Sequence, residues 1–170
     1  LGMASSVAIL IMGLFFSDSF DYVIHVQYSL AQRENLTVTF TEPTSTSAVH
    51  ELESLPGVLY AEPFRSVPVK LRNGHRQYRT SIQGIPPDPS LHRLIDTGLN
   101  PVDVPPEGVM LTERLAGILG VRPGELVEVE VQEGRGQTSE VPVAGLARQF
   151  VGVGAYMDLK EANRLSGLGQ

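Results

Sequence analysis

The sequence predicts an α+β protein: an N-terminal transmembrane and stalk helix, a mixed α+β lobe, and a β-rich lobe with short helices. Three observations predict it. The chain opens on an uncharged apolar run, LGMASSVAILIMGLFF, which meets Asp18 and Asp21 directly afterwards. Several later stretches alternate apolar and polar residues with the period of two that marks half-buried strands. Between them lie short segments with apolar spacing of three and four, bounded by capping residues and by Gly or Pro stops. The corresponding division is residues 1–17 as the end of a transmembrane helix, 18–33 as an amphipathic stalk, and 34–170 as an extracytoplasmic α+β domain.

The apolar run sets the first element. Val7, Ile9, Leu10, Ile11, Met12, Leu14, Phe15 and Phe16 are expected in the hydrocarbon, because each such side chain gains a few tenths of a kcal/mol there. A central Asp costs roughly 2.5–3.5 kcal/mol, which places Asp18 and Asp21 beyond the boundary. Leu1 to Phe16 rise about 24 Å as a helix against a core of about 30 Å, so the run reads as the outer end of a span. A secretory signal peptide is the main rival, but it lacks a basic n-region and a small-x-small cleavage site. A buried soluble helix is the other. The first basic residue after the run is Arg33, and a flank without Lys or Arg points to the non-cytoplasmic side. Residues after about 17 are therefore expected on the non-cytoplasmic side of a membrane.

The helical spacing continues through Phe20, Val23, Ile24 and Leu30, which predicts a stalk to about Gln32. Leu36, Val38 and Phe40 alternate with threonines, as in a strand. Ser47 can cap a short helix carrying Ala48, Val49, Leu52 and Leu55, which Pro56-Gly57 stops. Val58–Glu62 and Val67–Arg72 read as extended, and Asn73-Gly74 reads as a type I′ turn into Gln77–Ile85. Proline at 86–89 and 101–106 predicts surface connections around a short helix, Leu91–Thr97. Thr112 is a good N-cap for Glu113–Leu119, with Gly120 at C′, and Pro123-Gly124 turns the chain into the strand Leu126–Val131. Gly134–Gly136 makes the next hairpin, with Val141, Val143 and Gln149–Val151 returning. Asp158 caps the last helix, with Glu161 reaching back as in a capping box.

Composition narrows the function classes. A formal charge of −6 and a pI near 5.2 disfavour nucleic acid and anionic lipid surfaces as partners, since both need a clustered basic face. There is no cysteine, hence no disulfide and no thiolate metal site. No GxxxxGK[ST] loop occurs, so any ATP hydrolysis happens elsewhere. The glycines at 120–124 and 134–136 are turn glycines. His25, His50, His75 and His92 stand singly, without the spacing of zinc ligands. No GxSxG elbow is present and no acid, base and nucleophile converge, so no catalytic residue, cofactor or metal is assigned. Asn35-Leu36-Thr37 matches the glycan sequon by chance composition. Arg65, Lys70, Arg72, His75, Arg76 and Arg79 read most simply as the solvated face of a hairpin, with a docking face as the second reading.

Taken together, the apolar helix end, the acidic stalk, LTVTF, LPGVLYAEPFRSVPVKLRNGHRQYRTSIQGI, GVMLTERLAGILGVRPGELVEVEV, EVPVAGL and AYMDLKEANRL resemble the extracytoplasmic, MacB-like periplasmic domain of FtsX/MacB-type ABC transporter permeases. The resemblance implies a non-enzymatic domain inserted after a transmembrane helix, which couples ATP-driven membrane-helix motion to substrate export or to force transmission. It also implies partners: a cytoplasmic ABC ATPase, a second permease subunit in a homo- or heterodimer, and a periplasmic protein or a transported substrate. The membrane it implies is the cell's inner membrane, with residues after about 17 on the periplasmic or extracellular side. The segment Gly108–Val131, a capped helix feeding a strand through a Pro-Gly turn, also occurs in small β-barrels of the double-psi kind. The rival expectation is thus a soluble or singly anchored β-rich binding domain unrelated to transport.

Overall fold

The computed structural model describes residues 2–25, 33–40, 44, 47–134, 136–149 and 152–167. Over these residues the protein is α+β, with four helices and a closed six-stranded mixed barrel. Helix α1 spans Gly2–His25 and α2 spans Ser47–Glu53. Then follow β1 (Arg65–Asn73), β2 (Arg76–Ile85), β3 (Val109–Thr112), α3 (Glu113–Leu119), β4 (Leu126–Val131), β5 (Thr138–Ala147), β6 (Ala155–Asp158) and α4 (Leu159–Leu165).

The barrel order is β1-β2-β6-β3-β5-β4, closed by antiparallel pairing of β1 with β4. Two pairs, β2 with β6 and β3 with β5, are parallel. Closure removes the unpaired edges that an open sheet would offer to other chains. The alternation read in the sequence decides which face turns inward: Val67, Val69 and Leu71 of β1 and Val127, Val129 and Val131 of β4 are buried, while their polar neighbours face out. Leu115, Ala116 and Leu119 of α3 and Ala162 of α4 join the same core. Removing a Leu from water is worth about 1.5–3 kcal/mol, so these inward rows are what holds the barrel shut.

Local signals behaved as their chemistry requires at both capped helices. Thr112 Oγ1 accepts the Leu115 N–H at 3.4 Å and the Gly154 N–H at 3.2 Å, which joins the α3 N-terminus to the strand entering β6. Gly120 ends α3 at φ 68°, a left-handed conformation that glycine adopts without a Cβ penalty. Asp158 caps α4 by accepting the Lys160 N–H, whereas Glu161 pairs with Arg164 at 2.6 Å and supplies no reciprocal capping-box bond.

Other expectations are corrected. Leu36, Val38 and Phe40 form no strand and are 79 %, 46 % and 48 % exposed, because no neighbouring strand offers them a ladder. Val58–Glu62 likewise joins no strand, the Val58 N–H donating to the Leu55 carbonyl at 3.2 Å instead, and Leu59 is fully exposed. The hairpin turn is Gly74-His75, since Asn73 already pairs with Arg76. Only Gly74 of the two has positive φ, at 57°, which excludes type I′ and matches type II′. Leu91–Thr97 is not helical: the Asp96 carboxylate binds the N–H groups of Gly98 and Asn100 at 2.8 Å each, an Asx turn that competes with a helix. β5 ends at Ala147, Gln149 is outside it, and residues 150 and 151 are outside the described residues. The strand-and-helix lobe expected ahead of the barrel is represented, among the described residues, by α2 alone.

The proline-rich connection between β2 and β3 has a packing role. Leu94, Val102 and Val104 lie over Ile85, Met110, Ala147 and Tyr156, an apolar patch on the outside of four adjacent strands. The Val102 N–H donates to the Leu94 carbonyl at 2.8 Å and pins this cover.

Candidate functional site

Two features stand outside the core logic of the barrel: the surface of α1, and the seam where the chain following it meets the barrel wall. In α1 the side chains proposed for the membrane, Val7, Ile9, Leu10, Ile11, Met12, Leu14, Phe15 and Phe16, are all exposed, as are Phe20 and Ile24, at 52 % to 71 %. Ile9, Leu10, Ile11 and Met12 are consecutive and so point about 100° apart around the helix. No side of α1 is therefore covered by the rest of the described chain. The Ser19 hydroxyl donates to the Phe15 carbonyl at 2.7 Å, and Phe16 and Phe20 stack with centroids 6.5 Å apart. Val23 lies within α1, its side chain outside the described residues, and Leu30 with the end of the stalk also lies outside them. Among the described residues no helix is long and apolar enough to cross a membrane. The 24 residues of α1 rise about 36 Å, but Asp18 and Asp21 interrupt the apolar part well before its end.

The seam brings together residues far apart in sequence. Glu62 accepts three consecutive backbone N–H groups, from Ser90 at 2.6 Å, Leu91 at 3.1 Å and His92 at 3.2 Å. A carboxylate satisfied in this way holds the loop as a charged staple. On the same loop, His92 stacks on Phe64 with centroids 6.0 Å apart and planes within 9°. Its Nδ1 lies 3.4 Å from Glu34 Oε1, and its Nε2 lies 3.2 Å from Gln83 Oε1 on β2. The Arg33 N–H donates to the Leu91 carbonyl at 2.9 Å. The chain after α1 is thus tied to the barrel by backbone and side chain together.

The basic cluster resolves into ion pairs for half of its members. Arg65 meets Glu133 at 2.7 Å, Lys70 meets Glu130 at 3.4 Å, and Arg72 meets Glu128 at 3.4 Å and Glu130 at 3.7 Å. Lys70 and Glu130, and Arg72 and Glu128, are direct cross-strand partners of β1 and β4. A hydrogen bond from Gln132 holds the Glu130 carboxyl below its ordinary range, helped by Lys70 and Arg72. The Arg76 guanidinium lies against Gly120 and the Asn73 amide donates to the Leu119 carbonyl at 3.1 Å, so the hairpin tip covers the C-terminus of α3. These contacts favour the solvated-face reading over a docking face for Arg65, Lys70 and Arg72, whose charge is balanced within the sheet.

A shallow cleft of about 210 Å³ lies beside the seam, lined by Thr80, Ser81, Gln83, Gln149 and Tyr156 with the glycine-rich turn at Gly152 and Gly154. Its lining offers hydrogen bonds and no formal charge, and Tyr156 donates to Gln149 at 2.9 Å. Among the described residues no group of three His, Asp or Glu side chains is placed to hold a metal ion.

No protein-family model matches the chain, and no curated protein is significantly similar to it.

Sequence reasoning singled out the α1 residues and missed the seam. Glu34 and His92 are 58 residues apart, and Gln83 is nine from His92 across a loop. No spacing rule links them. The one local signal is the lone acid Glu62 ahead of a loop whose N–H groups have no strand partner, and it becomes readable only once the barrel places that loop.

Proposed function

We propose that this chain is the extracytoplasmic part of an ABC transporter permease subunit of FtsX/MacB type, with α1 entering the membrane and the barrel outside it. The observation that carries the reading is the all-round exposure of the α1 apolar side chains. A helix apolar on every side needs an apolar surrounding, and the chain's own described residues provide none. The apolar end followed by Asp18 and Asp21 orients it, with the barrel on the side that lacks clustered Lys and Arg. In this role a cytoplasmic ABC ATPase supplies the energy and a second permease subunit completes the membrane part. α1 carries motion outward to the barrel, whose closed ladder makes it a stiff body able to act on a substrate or a periplasmic partner.

The closed barrel also fits a second reading, a singly anchored binding domain unrelated to transport. The two diverge in whether an ATPase accompanies the protein through purification from membranes. The test of the shared membrane placement is Val7→Lys with Leu10→Lys. Each charge costs about 2.5–3.5 kcal/mol near the centre of a span, so the doubly substituted protein should be released from membranes by alkaline carbonate while the parent stays. Equal retention of both would remove α1 from the bilayer.

A further inference from the structure

We propose that Asn73, at the tip of the β1–β2 hairpin, is a spontaneous deamidation site that the C-terminus of α3 holds shut and that, once converted, frees the tip from α3. Of the chain's asparagines, Asn73 is the one followed by glycine; Asn35 precedes Leu36, Asn163 precedes Arg164 and Asn100 precedes Pro101. The attacking group in deamidation is the backbone nitrogen of the following residue. Proline's nitrogen carries no hydrogen, and the side chains of Leu36 and Arg164 crowd theirs. Gly74 has no β-carbon to do so. Gly74 and His75 are exposed, so water reaches the tip.

Water is the sole co-reactant. The Gly74 nitrogen bonds to the side-chain carbonyl carbon of Asn73, whose NH2 leaves with the Gly74 proton as ammonia, closing a cyclic imide. Water then opens the ring at either carbonyl. Opening on the side-chain side leaves aspartate; opening on the main-chain side leaves isoaspartate, in which the backbone runs through the side-chain carbon and is longer by it. No electrons are exchanged with any other group.

The docked tip blocks the first step. The Asn73 amide donates to the Leu119 carbonyl at 3.1 Å and to the Gly120 carbonyl at 3.3 Å. A helix end leaves such carbonyls without intrahelical partners, and only the NH2 end of the amide can serve them. Ring closure expels this same NH2, so both hydrogen bonds have to open beforehand. Conversion then removes the docked state. A carboxylate accepts and does not donate, so it would face the carbonyl oxygens with no hydrogen between them, at the negative end of the helix dipole. Isoaspartate also lengthens the chain where Asn73 pairs with Arg76. The converted tip stays off α3, and each copy of the protein carries a record of past tip opening. This site goes beyond the membrane placement and does not depend on it.

Peptide mass spectrometry of the full chain tests it, in detergent micelles at neutral pH over days, beside the same chain in concentrated urea. In urea, Asn73 should exchange its NH2 for OH faster than Asn35 or Asn163. In the folded protein its conversion should be slower than in urea by about tenfold to a hundredfold, the population cost of opening two hydrogen bonds. Asn73→Asp supplies the converted side chain directly and should lower hydrogen-exchange protection in the last turn of α3, with β3 and β5 keeping theirs. A folded rate equal to the rate in urea, no preference for Asn73 in urea, or an Asn73→Asp protein whose α3 exchanges as the parent's does would overturn the proposal.

Discussion

Gly84 offers the sharpest test of how the barrel and its last helix fit. It lies in β2 where α4 crosses, and a β-carbon built there would stand 2.7 Å from the Ala162 Cβ and 3.4 Å from both the Leu159 Cα and Cδ1. Carbon atoms settle about 3.5–4.0 Å apart, so the Ala162 contact is too close by nearly an ångström. Both partners are short side chains fixed to backbone, and Ala162 is fully buried. No rotamer change can relieve the overlap; α4 must move. Overpacking of this kind costs about 1–3 kcal/mol, which for a chain of this size lowers the melting temperature by about 3–9 °C. Ala162→Gly alone should cost about 1 kcal/mol through helix propensity, and somewhat more through lost burial. In the double variant the new methyl group occupies the space that the old one vacates. Gly84→Ala with Ala162→Gly should therefore be more stable than the sum of the single changes by about 0.5–3 kcal/mol. Urea denaturation followed by circular dichroism gives all four corners of the cycle. A Gly84→Ala protein as stable as the parent, or a cost that Ala162→Gly fails to relieve, would refute this packing.

Two further predictions separate transmission from folding and acid from base. Tyr22→Pro removes a hydrogen bond inside α1 and costs that helix about 3 kcal/mol; it should abolish function in cells while leaving the barrel's melting unchanged. Val127→Ala, in the barrel core at 1 % exposure, should instead lower barrel stability by about 1–3 kcal/mol. Burial raises the Tyr156 phenol above its ordinary value of 10.0, so the folded state favours the protonated form. Its contribution to stability is full below that ordinary value and lost as pH rises through the folded one. Tyr156→Phe should remove this alkaline step from the stability profile and the latest tyrosinate from an absorbance titration; an unchanged profile would contradict the assignment.

The elements legible in the sequence are those whose signal is local. Thr112 and Asp158 announce their helices because a cap acts within three residues, and Leu126–Val131 announces itself because one face is wet and the other dry. β3 and β6 carry no such signal, since the four residues of β3 are all buried and those of β6 nearly so. Without a wet face there is no alternation to read. Leu36–Phe40 shows the converse: its alternation is good, but a strand needs a partner, and closure of the barrel leaves no free edge for one. The candidate site divides the same way. The apolar residues of α1 stand together in the chain, whereas Glu34, Glu62, Gln83 and His92 meet only because the loop after β2 folds back over the barrel wall.

The central claim, that α1 is held in a bilayer with the barrel outside the cell's inner membrane, is tested most directly by topology. The chain has no cysteine, so a single one introduced at Glu107 or Gln137, both exposed on barrel connections, is a clean reporter. In cells expressing the protein, with the outer envelope permeabilised and the inner membrane intact, both positions should react with a membrane-impermeant maleimide. Labelling that appears only after the inner membrane is broken would contradict the claim.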